Sequence, residues 1–286
     1  MTKFNSEFSI ISLINKFFWK SKVGPLTMLL LPFSFMLIYY LIENNGSNDG
    51  GPSFFVSAFP AFIALSVLPI TMISLPQMLV EIKQSIVLRR ISTSSITPIK
   101  YNLIVAAWFF LMCCFSTILV TIIFLCFLNT DAPEELAHIN WGEFIFAIIM
   151  LFISAISTGI LLASVSKKSA TVQLIGLSIM LLTITLAGYF VPIFVIGGIE
   201  AIKYISLFSP INYATSLLNN VLIKPIEGIS QSIFDFQDFS ISSANPTEGS
   251  LVIIAAWQKV LNLFMPTVIF IGFNFIAYKK FSWSSR

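Results

Sequence analysis

The side chains in this sequence that could do chemistry are few, and their spacing limits what that chemistry is. Cys113 and Cys114 are adjacent, and Cys126 follows within the same apolar stretch. Adjacency is not metal-ligand spacing, and thiols in such surroundings behave as small apolar packing groups. His138 is the only histidine and sits near Asp131, Glu134 and Glu135; with no second nitrogen or thiolate beside it, no metal site is expected. The chain has no G-x-x-x-x-G-K-[ST] phosphate loop, so nucleotide hydrolysis is not expected here. No catalytic constellation appears. What remains is one charged stretch, Glu81 and Lys83 followed by Arg89, Arg90 and Lys100. Its chemistry is that of contact: the planar fork of arginine pairs bidentately with carboxylates on another surface.

The elements that hold this stretch are set by composition. Of 286 residues 57% are hydrophobic and 10% charged, with 29 Phe and a mean hydropathy of +0.91. An ordinary soluble domain carries roughly 25% charged residues, and no single core of this size buries so much apolar surface. The solvent is lipid. Apolar runs of about 20 residues cross a hydrocarbon core, and six are read: 23–42, 54–80, 101–128, 144–165, 170–196 and 260–278, the last with 251 as its earliest start. The residues before the first run include Lys3, Lys16, Lys20 and Lys22 and offer no small-residue cleavage site, so no cleaved leader is expected. The whole of 1–286 reads as one membrane domain, all-α, with six transmembrane helices.

Charge orients the spans. With both termini cytoplasmic, thirteen of the 16 basic residues lie inside and only Lys203, Lys224 and Lys259 outside, while all acids but Glu7 and Glu81 lie outside. That is the positive-inside pattern. The small net charge is the remainder of this asymmetry and implies no nucleic-acid partner.

Two segments depart from the simple span. Residues 197–223 are apolar yet carry Lys203, Pro210, Asn212, Asn219 and Asn220, and a seventh crossing would place the acidic stretch 224–250 inside. They are expected to form a re-entrant outer helical hairpin broken at Ser209-Pro210, followed by an extracellular loop over 224–250. Irregular backbone at that depth is tolerated where protein covers it or it lines a cavity. At the other end, Phe4, Phe8, Ile11, Ile14 and Phe18 fall on one helical stripe, opposite Asn5, Ser9, Ser12, Lys16 and Lys20. Residues 1–22 are therefore expected to form an interfacial amphipathic helix in the cytoplasmic headgroups.

The segment 81–100 predicts a short helix over 81–91 with Ile82, Ile86 and Ile91 inward and Lys83, Arg89 and Arg90 outward, ending in Ser92 to Pro98. Read from composition alone it is also a solvated basic loop obeying the positive-inside rule. A glutamate closing span two, a basic helix with the pair Leu88-Arg89, and a Ser/Thr-rich stretch closed by Pro98 resemble the coupling-helix region of ABC-2 type ABC-transporter permeases. Gly188-Tyr189-Phe190-Val191-Pro192 resembles the Gly-aromatic-Pro element of that family, and Pro210 with Tyr213 its P-x-x-Y segment. The usual glycine after the glutamate is absent, Ser85 and Ile86 standing there.

The resemblance implies a permease subunit of an ATP-driven exporter. It implies an ABC ATP-binding subunit as partner, carrying the ATP and Mg, and no cofactor on this chain. Glu81, Arg89 and Arg90 would couple to that ATPase; Gly188, Tyr189, Phe190, Pro192, Pro210 and Tyr213 would form the outer exit region. A second permease copy or a paralogue is expected, because six spans are half the usual complement, and the location is the cell membrane. The turn 166–169 reads as too short for much contact with the ATPase. Spans rich in Phe, Leu and Ile suit a hydrophobic or amphipathic cargo: a drug, an antimicrobial peptide or a lipid-like molecule. The alternative is a secondary transporter or channel without an ATPase. It is disfavoured because Glu81, Glu143 and Lys259 all sit near span edges and no inverted repeat is visible. Pro60, Pro69 and Pro76, like Ser154, Ser157, Thr158 and Gly159, read as kinks and close helix contacts.

Overall fold

In lipid, every main-chain N–H and C=O must find its partner inside the protein, so apolar runs of this length fold as helices. The computed structural model describes residues 3–21, 23–45, 54–85, 97–128, 139–187, 209–226, 239–241, 252–254 and 256–280. They form α1 (Lys3–Lys20), α2 (Val23–Asn45), α3 (Phe54–Ser57), α4 (Phe59–Pro69), a π turn (Ile70–Ser74), α5 (Leu75–Gln84), α6 (Pro98–Phe127), α7 (Trp141–Val165), α8 (Ser169–Leu186), α9 (Asn212–Ile226) and α10 (Ala256–Lys280). Among the described residues six helices are long and apolar enough to cross a membrane, in the order expected. The second span is the composite of α4, the π turn and α5.

Helix starts are set by local chemistry. Thr97 caps α6 by accepting the N–H of Lys100 at 3.4 Å, with Pro98 at the first position, where no N–H is needed. Asn140 caps α7 by accepting the N–H of Gly142 at 3.2 Å, and its amide donates to Glu143 at 3.2 Å. Glu43, at the end of α2, accepts the N–H of Phe55 at 2.6 Å and so fastens α3.

Span two is the core. Within the bundle 89% of it is buried, against 17–56% for the other five spans, and they turn apolar side chains such as Leu111, Leu174 and Ile271 outward. At the Phe54 end, Phe124 of α6 stacks on Phe59 at 4.2 Å and on Phe55 at 4.9 Å. Below, α1 lies against α6 and sets Phe18 edge-on to Trp108 at 5.1 Å.

Three expectations are corrected. The buried edge of α1 is Ile10, Ile14 and Phe18, strictly four residues apart, while Ile11 is 39% exposed. A 3.6-residue period puts Ile11 on the flank of that edge. The earliest start for span six fails because Val252–Ile254 is a strand, paired antiparallel with Phe239–Ile241 with Ser240 opposite Ile253. A small ladder therefore accompanies the helices, and α10 begins at Ala256. Finally, no separate helix starts at Glu81. That residue belongs to the last turns of α5, which ends at Gln84 with Ser85 extended.

Candidate functional site: the Glu81 end of the second span

Two prolines shape the middle of span two. Leu75 gives its N–H to the carbonyl of Ile70, five residues back, which is the π register. The carbonyl of Thr71 thereby loses the donor an α-helix would supply. Pro76, the α-helical donor position for Met72, has no N–H. These two carbonyls meet glycines from neighbouring spans: a Cβ on Gly159 of α7 would strike the Thr71 carbonyl, and one on Gly176 of α8 the Met72 carbonyl. A glycine hydrogen facing an oxygen makes a weak Cα–H···O contact, and only glycine allows the approach. Gly159 is thus one of the close helix contacts expected from sequence, while Gly176 was not singled out.

Below the π turn, α5 carries a row of polar side chains bonded to α7 and α8. Gln173 of α8 donates to Gln77 at 2.6 Å, and Gln77 donates to the Glu81 carboxylate at 2.8 Å. Lys83 donates to the carbonyl of Ala163 at 2.5 Å, and Gln84 to that of Lys167 at 2.8 Å. Ala163 lies in the last turn of α7, where the unsatisfied carbonyls favour a cation. One further expectation changes here. Lys83 was placed outward with the other basic residues and instead reaches across to α7. The carbonyl of Lys167, in the turn after α7, is likewise bonded to α5. The Glu81 carboxylate is held by the Gln77 amide of its own helix, one turn earlier.

At the opposite end of α8, Thr183 and Ser209 share a hydroxyl hydrogen bond of 3.2 Å, and Asn219 donates to the carbonyl of Ala187 at 3.1 Å. These bonds seat α9 beside α8. Pro210 lies in the turn before α9, and Tyr213 is buried in its first turn. Gly188, Tyr189, Phe190 and Pro192 lie outside the described residues, as do Arg89, Arg90 and His138 with its acidic neighbours. Cys113 is buried, Cys114 partly so and Cys126 exposed. Among the described residues no three His, Cys, Asp or Glu side chains converge.

Sequence reading missed Gln77, Gln84 and Gln173. Their signal was present: amides near the ends of apolar runs need partners, and neighbouring span ends are where partners lie. The cap at Asn140 was legible too, as an asparagine followed three residues later by a glutamate before an apolar run.

A bundle of six candidate spans among the described residues, with close glycine contacts and a polar row that ties α5 to α7 and α8, defines a multi-pass helical membrane protein. The chain belongs to the ABC-2 type transporter family, whose sequence model matches residues 10–223. It is a permease component, not a catalytic one, and its family associates with an ABC ATP-binding subunit. No curated protein and no solved structure matches the chain.

Proposed function

We propose that this permease exports a hydrophobic or amphipathic molecule across the cytoplasmic membrane, with the Glu81 end of span two facing the cytoplasm and the ATPase. The observation that carries the reading is the row of bonds from Gln77, Lys83 and Gln84 to spans four and five. A span end tied to two neighbours passes a push on to both. The loop 81–100 is the main handle for the ATPase, with Arg89 and Arg90 as its contacts and Glu81 as the anchor behind them. ATP and Mg belong to that subunit. Both termini are cytoplasmic, and α1, with Lys16, Trp19 and Lys20 exposed, lies among the headgroups.

The transporter contains two permeases, a pair of identical chains or of paralogues, because two ATP sites need two docking loops. The segment 197–223 re-enters from the outer face, and Gly188, Tyr189, Phe190, Pro192, Pro210 and Tyr213 border the exit. A cargo that is a drug, antimicrobial peptide or lipid-like molecule suits spans with no charge deep in the bilayer.

Gene deletion tests the cargo. Sensitivity to amphipathic antimicrobial compounds rises in the deletant and is restored by the gene; unchanged sensitivity with a defect in polymer export overturns the choice. Cysteine labelling tests orientation, with a label after Lys224 accessible from outside and one at Arg286 only from inside. The reverse result removes the cytoplasmic assignment of Glu81.

A further inference from the structure

Span two changes neighbours at its π turn. Above it, α4 packs chiefly on α2 and α6; below it, α5 packs on α7 and α8. The hydrogen bonds divide the same way. The carbonyl of Ser66, on α4, accepts from Ser116 of α6 at 3.4 Å, whereas Gln77, Lys83 and Gln84 of α5 bond to α7, α8 and the turn between them. At the changeover stand the carbonyls of Thr71 and Met72, released from the α-helical ladder and held against Gly159 and Gly176.

We propose that this π turn is the joint of the permease, and that Pro76, Gly159 and Gly176 are the positioning residues that make it one. The lower half of span two, with spans four and five and with span six packed on span four, forms one moving unit; the upper half, with spans one and three, forms the other. An unbroken α-helix would carry a displacement of Glu81 straight along span two into the aromatic stack of Phe59 and Phe124. Here two successive carbonyls rest on glycine hydrogens in place of helix N–H groups, and Cα–H···O contacts are weaker and less directional than amide bonds. The helix can bend between α and π registers at that level, sliding its carbonyls over surfaces that carry no Cβ. Displacement at Glu81 is thereby routed sideways into spans four and five. This rests on the reading of the Glu81 end as the docking end.

The test uses the permease assembled with its ATP-binding subunit in nanodiscs, with Cys113, Cys114 and Cys126 replaced by alanine and spin labels at exposed positions. Ile99→Cys with Ala170→Cys spans the two units; Ala170→Cys with Ile276→Cys lies within one. Trapping with ATP and vanadate is expected to shift the first distance and leave the second. Pro76→Ala, which returns an N–H to Met72, should abolish the shift while the ATPase stays bound and the second distance holds. An equal shift in Pro76→Ala, or equal shifts in both pairs, overturns the joint. If no ATP-binding subunit associates, the docking reading fails separately. The joint is then judged from the permease alone, where the first distance distribution should be broad and Pro76→Ala should narrow it; equal widths overturn it.

Discussion

The carboxamides of Gln77 on α5 and Gln173 on α8 meet at 2.6 Å, and through Gln77 span five reaches the carboxylate of Glu81. Neither glutamine is at a bilayer centre, and each would need water if the other were absent. An inter-helical bond of this kind is worth about 0.6 kcal/mol on average and up to about 1.7 kcal/mol in membrane proteins. A double-mutant cycle with Gln77→Ala and Gln173→Ala, read by unfolding of the purified permease in mixed micelles, is expected to return a coupling energy in that range. A coupling energy of zero would mean that the two amides act independently and that span five is not tied to Glu81.

The two glycines predict a contrast with a third. Adding a methyl at Gly176 or Gly159 drives it into main-chain carbonyl oxygen, and main chain cannot swing aside as a side chain can. Overpacking of this sort costs about 1–3 kcal/mol. At Gly272 of α10 a Cβ would meet nothing within 4 Å, and alanine is the better helix former by about 1 kcal/mol. Melting by size-exclusion chromatography should therefore fall for Gly159→Ala and Gly176→Ala and hold or rise for Gly272→Ala. Equal behaviour of all three would refute the close approach.

How much of this was legible in the sequence depends on the range of the interaction. The six spans follow from hydropathy, a local property, and they fall where expected. The cap at Thr97 is short-range as well, whereas α5 ends at Gln84, inside the stretch 81–91 that the sequence reads as helix. The neighbours of span two are not local. Nothing in the order of residues says that Gly159 and Gly176 face the same turn of a helix some hundred positions earlier, because that depends on how three helices rotate about their axes. Pro69 and Pro76 announce a disturbance in the ladder, yet its π form arises only with the shared packing. Lys83 shows the opposite error: read locally, a lysine at a span end points to water, and the carbonyls closing α7 offer it a partner that only the folded chain supplies.

Asn140 offers a purely local test. Its side-chain oxygen holds the Gly142 N–H at the start of α7, and its amide holds Glu143. Loss of a cap costs about 1 kcal/mol, so Asn140→Ala should lower stability modestly, and Asn140→Asp or Asn140→Ser should recover most of the loss. A serine variant no better than alanine would show that the cap does not stabilise α7.

Arg89 and Arg90 are the residues on which the proposed coupling turns, and their test separates docking from topology. Both would be expected to serve the positive-inside rule whatever else they do, so the informative variants keep the permease inserted. Thirteen basic residues share the cytoplasmic assignment, and loss of two leaves the asymmetry steep. A partner ATPase pairing its carboxylates with these forks would lose desolvated charge pairs, each truncation costing about 2–5 kcal/mol. Arg89→Ala with Arg90→Ala should therefore yield a correctly inserted permease that retains less ATPase on purification and no longer transports. Lysine at both positions keeps the charge but not the bidentate geometry, so it should recover part of the ATPase retention. Unaltered retention together with unaltered transport in the alanine variant would leave Arg89 and Arg90 as orientation charges only.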